Sequence, residues 1–144
     1  MEKADPVLER LEGQIAWYDR RSQYSQRWFK WLKGAVLVAA AAIPFLAGIE
    51  APRLLIGGLG ALIVVLEGLQ QLNQYQHNWI TYRSTCEALK HEKYLYLANA
   101  GPYASAQDPR ALLAERVESL VSQEHARWVS AREEAKKTLE KLGP

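Results

Sequence analysis

Two uncharged runs decide the fold: Gly34-Ala35-Val36-Leu37-Val38-Ala39-Ala40-Ala41-Ala42-Ile43-Pro44-Phe45-Leu46-Ala47-Gly48-Ile49, and Leu54-Leu55-Ile56-Gly57-Gly58-Leu59-Gly60-Ala61-Leu62-Ile63-Val64-Val65-Leu66. Between them stands Glu50-Ala51-Pro52-Arg53. A bilayer's hydrocarbon core of about 30 Å takes about 20 mainly apolar residues at roughly 1.5 Å rise each. Starting the first run at Leu32 and carrying the second past Glu67 to Leu72 brings each to about that length. The alternative is a soluble bundle with a buried hairpin. Against it, Ala35 to Ile49 is apolar around its whole circumference, whereas a helix on a small soluble domain needs a polar face. A cleaved leader fits less well, because the first run begins far from Met1 and a second run follows at once. The pattern predicts a transmembrane hairpin with 50–53 as its turn.

At 144 residues the chain is long enough for one domain. A mean hydropathy of −0.25 averages a charge-free hairpin with flanks rich in Lys, Arg, Glu and Gln. The formal net charge of +2, without a dense basic cluster carrying interleaved aromatics, gives no argument for nucleic acid. The single cysteine, Cys86, excludes an internal disulfide and a multi-cysteine zinc site, and reads as a packed thiol. Arg20, Arg21, Arg27, Lys30 and Lys33 precede the first span and Arg83, Lys90 and Lys93 follow the second, so the positive-inside rule places both termini in the cytoplasm. Trp28, Trp31, Tyr75, Trp79 and Tyr82 fall near that boundary, where amphipathic rings favour the headgroup zone.

Outward from the hairpin, Asp5-Pro6 supplies an N-cap and a proline at the first helical position. From there Leu8, Leu11, Ile15, Tyr18, Ser22, Ser25, Phe29 and Leu32 follow three-four spacing, one stripe running unbroken into the first span. The two serines mark a looser, wetter or more closely approached section. Pro44 removes one backbone donor and is expected to kink the span. Gly57, Gly58, Gly60 and Ala61 suit close helix approach in lipid; with no third glycine in place and no preceding strand they are not a nucleotide-binding fingerprint. Beyond Glu67 the pattern continues through Leu69, Leu72, Tyr75, Trp79, Tyr82, Cys86, Leu89 and Tyr96, predicting a long helix that leaves the membrane. Asn99-Ala100-Gly101-Pro102 stops it, and Asp108-Pro109 opens a further amphipathic helix carrying Leu112, Leu113, Val117, Leu120, Val121 and Trp128. The expected architecture is all-α: a cytoplasmic helix over 7–33, spans over 34–49 and 54–72, a helical extension over 73–99 and a last helix over 109–142, with the long helices forming a cytoplasmic bundle.

Chemistry-bearing patterns are few. His77, His91 and His125 are scattered, with no partner for His77 or His91 at metal-ligand spacing. No serine sits in a nucleophile elbow. No catalytic residue, metal or cofactor is assigned, and the chain does not read as an enzyme. Gly60, Val64, Glu67, Gln71, Gln74 and Asn78 recur at three-four spacing as a small-to-polar stripe, which suits the lining of a pore. Glu67 is the ionisable group at membrane depth, a place where a charge needs a shared aqueous interior or a partner; Lys33 or Lys30 is the base within reach. Arg83 and Glu87 form an i, i+4 pair that supports the helix or, if buried, fixes register. Trp79, Tyr96 and Trp128 are expected to pack between helices.

Residues 78–96 read Asn-Trp-Ile-Thr-Tyr-Arg-Ser-Thr-Cys-Glu-Ala-Leu-Lys-His-Glu-Lys-Tyr-Leu-Tyr. With Trp79, Tyr82, Arg83, Thr85, Glu87, Leu89, Lys90, Glu92, Leu95 and Tyr96 in place, and with Trp17-Tyr18-Asp19 and Leu66-Glu67-Gly68-Leu69 upstream, this resembles a bacterial two-transmembrane family of unknown function, DUF4231-like, within the SLATT group of effector domains that associate with SMODS and SLOG proteins. The resemblance covers nearly the whole chain. It implies a multi-pass protein of the bacterial inner membrane, acting as a pore-forming effector in defence or stress. With these 144 residues read as a single domain, the expectation is that a signal arrives through a separate sensor protein. The resulting expectation is a homo-oligomer in lipid that conducts ions, with a non-conducting membrane scaffold that recruits a partner as the rival.

Overall fold

The computed structural model describes residues 5–141, and among them there are helices and turns but no strand. Four α-helices follow in order: α1 Pro6–Gly48, α2 Arg53–Asn73, α3 Tyr75–Leu97 and α4 Pro109–Lys141, with a single 3-10 turn at Gly101–Tyr103. Residue 142, the expected end of the last helix, lies outside the described residues.

The two aspartates cap as their positions predict. Asp5 Oδ1 accepts from the Val7 amide at 3.0 Å, and Asp108 Oδ1 accepts from the amides of Arg110 and Ala111, each at 3.1 Å. These bonds satisfy donors that the first turn leaves without a helical partner. At the other end of α1, Glu50 takes a left-handed conformation, φ 54°. Its amide donates to the Ala47 carbonyl at 3.2 Å and the Ala51 amide to Leu46 at 3.0 Å, which closes the helix in a Schellman motif. Asn99, φ 49°, repeats this ending after α3, with Asn99 donating to Tyr96 and Ala100 to Leu95. Gly101 follows at φ 58°, a conformation that favours glycine. Pro44 lies inside α1 without breaking it.

One expectation fails at Gln74. The periodicity of the sequence carries straight on from Glu67 to Tyr96, but α2 ends at Asn73 and α3 begins at Tyr75, because Gln74 is left-handed at φ 47°, ψ 40°. Asparagine side chains compete with the helical ladder on either side of the break. Asn73 Nδ2 donates to the Leu69 carbonyl at 3.0 Å, and Asn78 Nδ2 donates to the Asn73 carbonyl at 3.1 Å.

The chain forms two compact units. One comprises the residues up to Asp19 together with those from Thr81 onward. Its core joins Leu11 and Tyr18 of α1, Cys86 and Leu89 of α3, Tyr103, and Leu113 and Val117 of α4. This is the expected three-helix packing, each helix burying the apolar stripe of its sequence. The other unit, Arg20–Ile80, holds the hairpin. Its two apolar stretches are long and apolar enough to cross a membrane, and only 11% and 6% of the most apolar windows is buried within the chain. Ser22 and Ser25 are both buried in this unit, which selects close approach over a wet segment.

Candidate functional site

Within the hairpin unit the middle of α1, the last turns of α2 and the first turn of α3 converge on a polar cavity of about 330 Å³. Lys33 from α1 donates through Nζ to Glu67 Oε1 of α2 at 2.8 Å. The pair is half exposed on both sides, and it gives the carboxylate a partner from the same chain. Around it lie Gln70, Gln71, Gln74, Gln76 and His77, with the Phe29 ring. The left-handed Gln74 places two separate helices around one pocket, so that side chains from both sides of the break line it. Gln70 is buried, and its Nε2 lacks a hydrogen-bond partner. An amide buried in this way is costly to leave unpaired, and a hydrogen-bond acceptor in the cavity, water included, would satisfy it.

Of the stripe expected to line a pore, the structure brings Glu67, Gln71 and Gln74 to this cavity. Gly60 and Val64 lie elsewhere on α2, Val64 at 72% exposure, and Asn78 is spent on the carbonyl of Asn73. Gln70 was not singled out from the sequence, since a polar amide beside the last apolar turn reads as a boundary residue. Its spacing of three from Glu67 is the signal that puts it on the same side.

The aromatic positions divide between the units. Trp79 stacks on Phe29, ring centroids 6.3 Å apart, and Trp28 on Tyr75 at 6.2 Å. In the other unit Tyr82 meets Trp17 edge to face at 5.8 Å, and Tyr96 meets Tyr103 in the same way at 5.7 Å. Trp128 does not pack between helices as its stripe suggested. It is 39% exposed, with the Arg132 guanidinium 4.2 Å above its ring, because the core contacts of α4 end before that turn. Arg83 and Glu87 pair at 3.1 Å on the surface, the helix-supporting role rather than a buried register lock.

Sequence reasoning also missed two buried carboxylates that order the helical core. Tyr18 Oη donates to Glu124 Oε2 at 3.0 Å. Glu92 accepts from the Tyr103 hydroxyl and from Arg116 Nη1, the latter at 2.9 Å. Burial, followed by the neighbouring carboxylate, pushes both phenols well above the ordinary tyrosine range. Burial likewise pushes the Cys86 thiol up, so this fully buried side chain is a neutral core group rather than a nucleophile. Among the described residues no group of three or more His, Cys, Asp or Glu is placed to hold a metal ion.

No curated protein and no solved structure matches the chain. A family model described as a protein of unknown function (DUF4231) matches residues 13–111, more than half of the chain and the whole of the hairpin unit. The chain belongs to the DUF4231 family.

Proposed function

We propose that the hairpin crosses the inner membrane of a bacterium with both termini in the cytoplasm, and that copies of the chain assemble into a homo-oligomer whose α2 helices line an ion-conducting path. The observation that carries this reading is the exposure of the apolar helices. A core helix of a soluble protein is mostly buried, whereas Leu54, Leu72, Val64, Val38 and Phe45 each keep two thirds or more of their surface exposed. Lipid and neighbouring copies are the surroundings that suit such side chains. The polar cavity at the inner end of the hairpin supports conduction, because its glutamines and the Lys33, Glu67 pair could exchange ligands with a partly dehydrated ion. The resemblance to two-span SLATT effectors points the same way, with a separate sensor protein as the source of the signal.

The ion pair bears on the selectivity of such a path. With Lys33 held on Glu67, the pore mouth carries both signs, and selectivity follows whichever partner is removed. Purified protein in liposomes under a salt gradient should show a shift toward anions in Glu67→Gln, which frees the lysine, and toward cations in Lys33→Ala. The same pair favours the second reading, a scaffold in which Lys33 and Glu67 only clip the hairpin shut. A scaffold passes no current in either variant.

A further inference from the structure

We infer that α1 carries a binding site for one anionic phospholipid, whose phosphate sits on Arg27 and Lys30 and whose acyl chain lies in a groove along Gly34, Val38 and Ala42. The inference rests on the reading of the hairpin as membrane-spanning.

A groove of about 620 Å³ begins at Lys30 and Trp31 and follows the small side chains of α1, with Leu59 of α2 as its far wall. A second cavity of about 520 Å³ adjoins it across Trp31 and Ala35 and is closed at its polar end by Arg27. The groove from Gly34 to Ala42 runs about 12 Å at the helical rise, enough for much of one leaflet's acyl depth. Its mouth is basic and its body is apolar. The exposed Trp31 ring stands at the junction, the level where indoles sit at the headgroup boundary.

Charge selects the occupant. The hairpin unit carries six basic side chains, Arg20, Arg21, Arg27, Lys30, Lys33 and Arg53, against the two carboxylates Glu50 and Glu67. Glu67 is engaged by Lys33, and among the described residues no carboxylate pairs with Arg27 or Lys30. A second copy seated in the groove would bring the same surplus of positive charge, and its remaining hairpin carboxylate, Glu50, stands at the turn, at the opposite end of the apolar helices from Arg27 and Lys30. A phosphodiester supplies the missing anion, and basic pockets beside membrane-spanning helices on the cytoplasmic side are where acidic headgroups bind. An added Cβ at Gly34 meets nothing within 4 Å, so the groove at that point is open and is not there to admit another part of this chain.

The test uses the full-length protein in detergent, titrated with phosphatidylglycerol or phosphatidylcholine and read by native mass spectrometry. The parent should retain one phosphatidylglycerol in preference to phosphatidylcholine. Arg27→Ala with Lys30→Ala should reduce that retention by about tenfold or more, given roughly threefold to tenfold per basic contact, and Arg53→Ala should leave it unchanged. Gly34→Leu, which fills the groove while keeping every charge, should weaken retention as well. Equal binding of the two lipids, or a preference unaltered in the double variant, overturns the site. So does a Gly34→Leu protein that keeps its lipid but loses oligomer, since the groove then belongs to a second copy. Extraction of the parent from membranes by alkaline carbonate separates the two readings: protein that stays in the pellet without lipid preference defeats the lipid site alone, and protein that is released defeats the membrane reading with it.

Discussion

Two buried phenol and carboxylate pairs show how differently one hydrogen bond can weigh. Tyr18 gives Glu124 its buried donor, whereas Glu92 holds both the Tyr103 hydroxyl and the Arg116 guanidinium. Removing one partner from a buried polar group costs about 1 to 3 kcal/mol, and less where a charged donor stays behind. Tyr18→Phe is therefore expected to lower thermal stability more than Tyr103→Phe, by differential scanning in detergent. The pH dependence has a definite sign. Both folded phenols are raised above their unfolded value near 10, so their contribution is complete below about pH 10 and is lost as the pH climbs beyond it. The parent's melting temperature should fall more steeply above about pH 10 than that of the double phenylalanine variant. At this scale the sequence announced its caps, because aspartate before proline has one strong local meaning at Asp5 and Asp108. It could not announce Glu92 and Glu124, since a glutamate on an amphipathic helix looks solvated until the facing helix supplies a tyrosine.

Among the elements, the apolar periodicity located every helix, and what it could not reveal is the interruption at Gln74. A left-handed residue leaves the spacing of apolar positions intact on both sides, so Leu72, Tyr75 and Trp79 read as one helix although the ladder stops between them. The stop depends on Asn73 and Asn78, whose amides supply hydrogen bonds the ladder would otherwise make. Glycine at position 74 distinguishes the two arrangements by sign. In a continuous helix Gln74→Gly would destabilise by about 1 kcal/mol. In the observed left-handed conformation it removes a steric cost of about 1 to 2 kcal/mol, and the variant should melt higher than the parent. The same reasoning applies to Glu50 at the hairpin turn, where the spacing of two charge-free runs gave the position of the turn but not its left-handed residue.

For the whole molecule, the composition of the flanks bears on orientation more directly than any contact does. The turn between the spans holds Arg53 beside Glu50, while five basic residues from Arg20 to Lys33 precede the first span and Arg83, Lys90 and Lys93 follow the second. Lys and Arg in short segments beside a span resist translocation, at about 2.5 to 3.5 kcal/mol for each that must enter the bilayer centre. For a hairpin that crosses the membrane as proposed, three residues or more on one side against one on the other favour both termini inside. A reporter active only outside the cytoplasm should be silent when fused after Pro144 or before Met1 and active when inserted between Glu50 and Ala51. Signal from a single terminus would mean that one apolar helix does not cross. Charge inserted at the turn provides the harder test: four lysines after Glu50 should lower the yield of inserted protein, because the turn would then carry five basic residues across the membrane, as many as the flank from Arg20 to Lys33 keeps back. Insertion unaffected by those lysines would show that the hairpin is held by its contacts with other copies and not by the balance of charge.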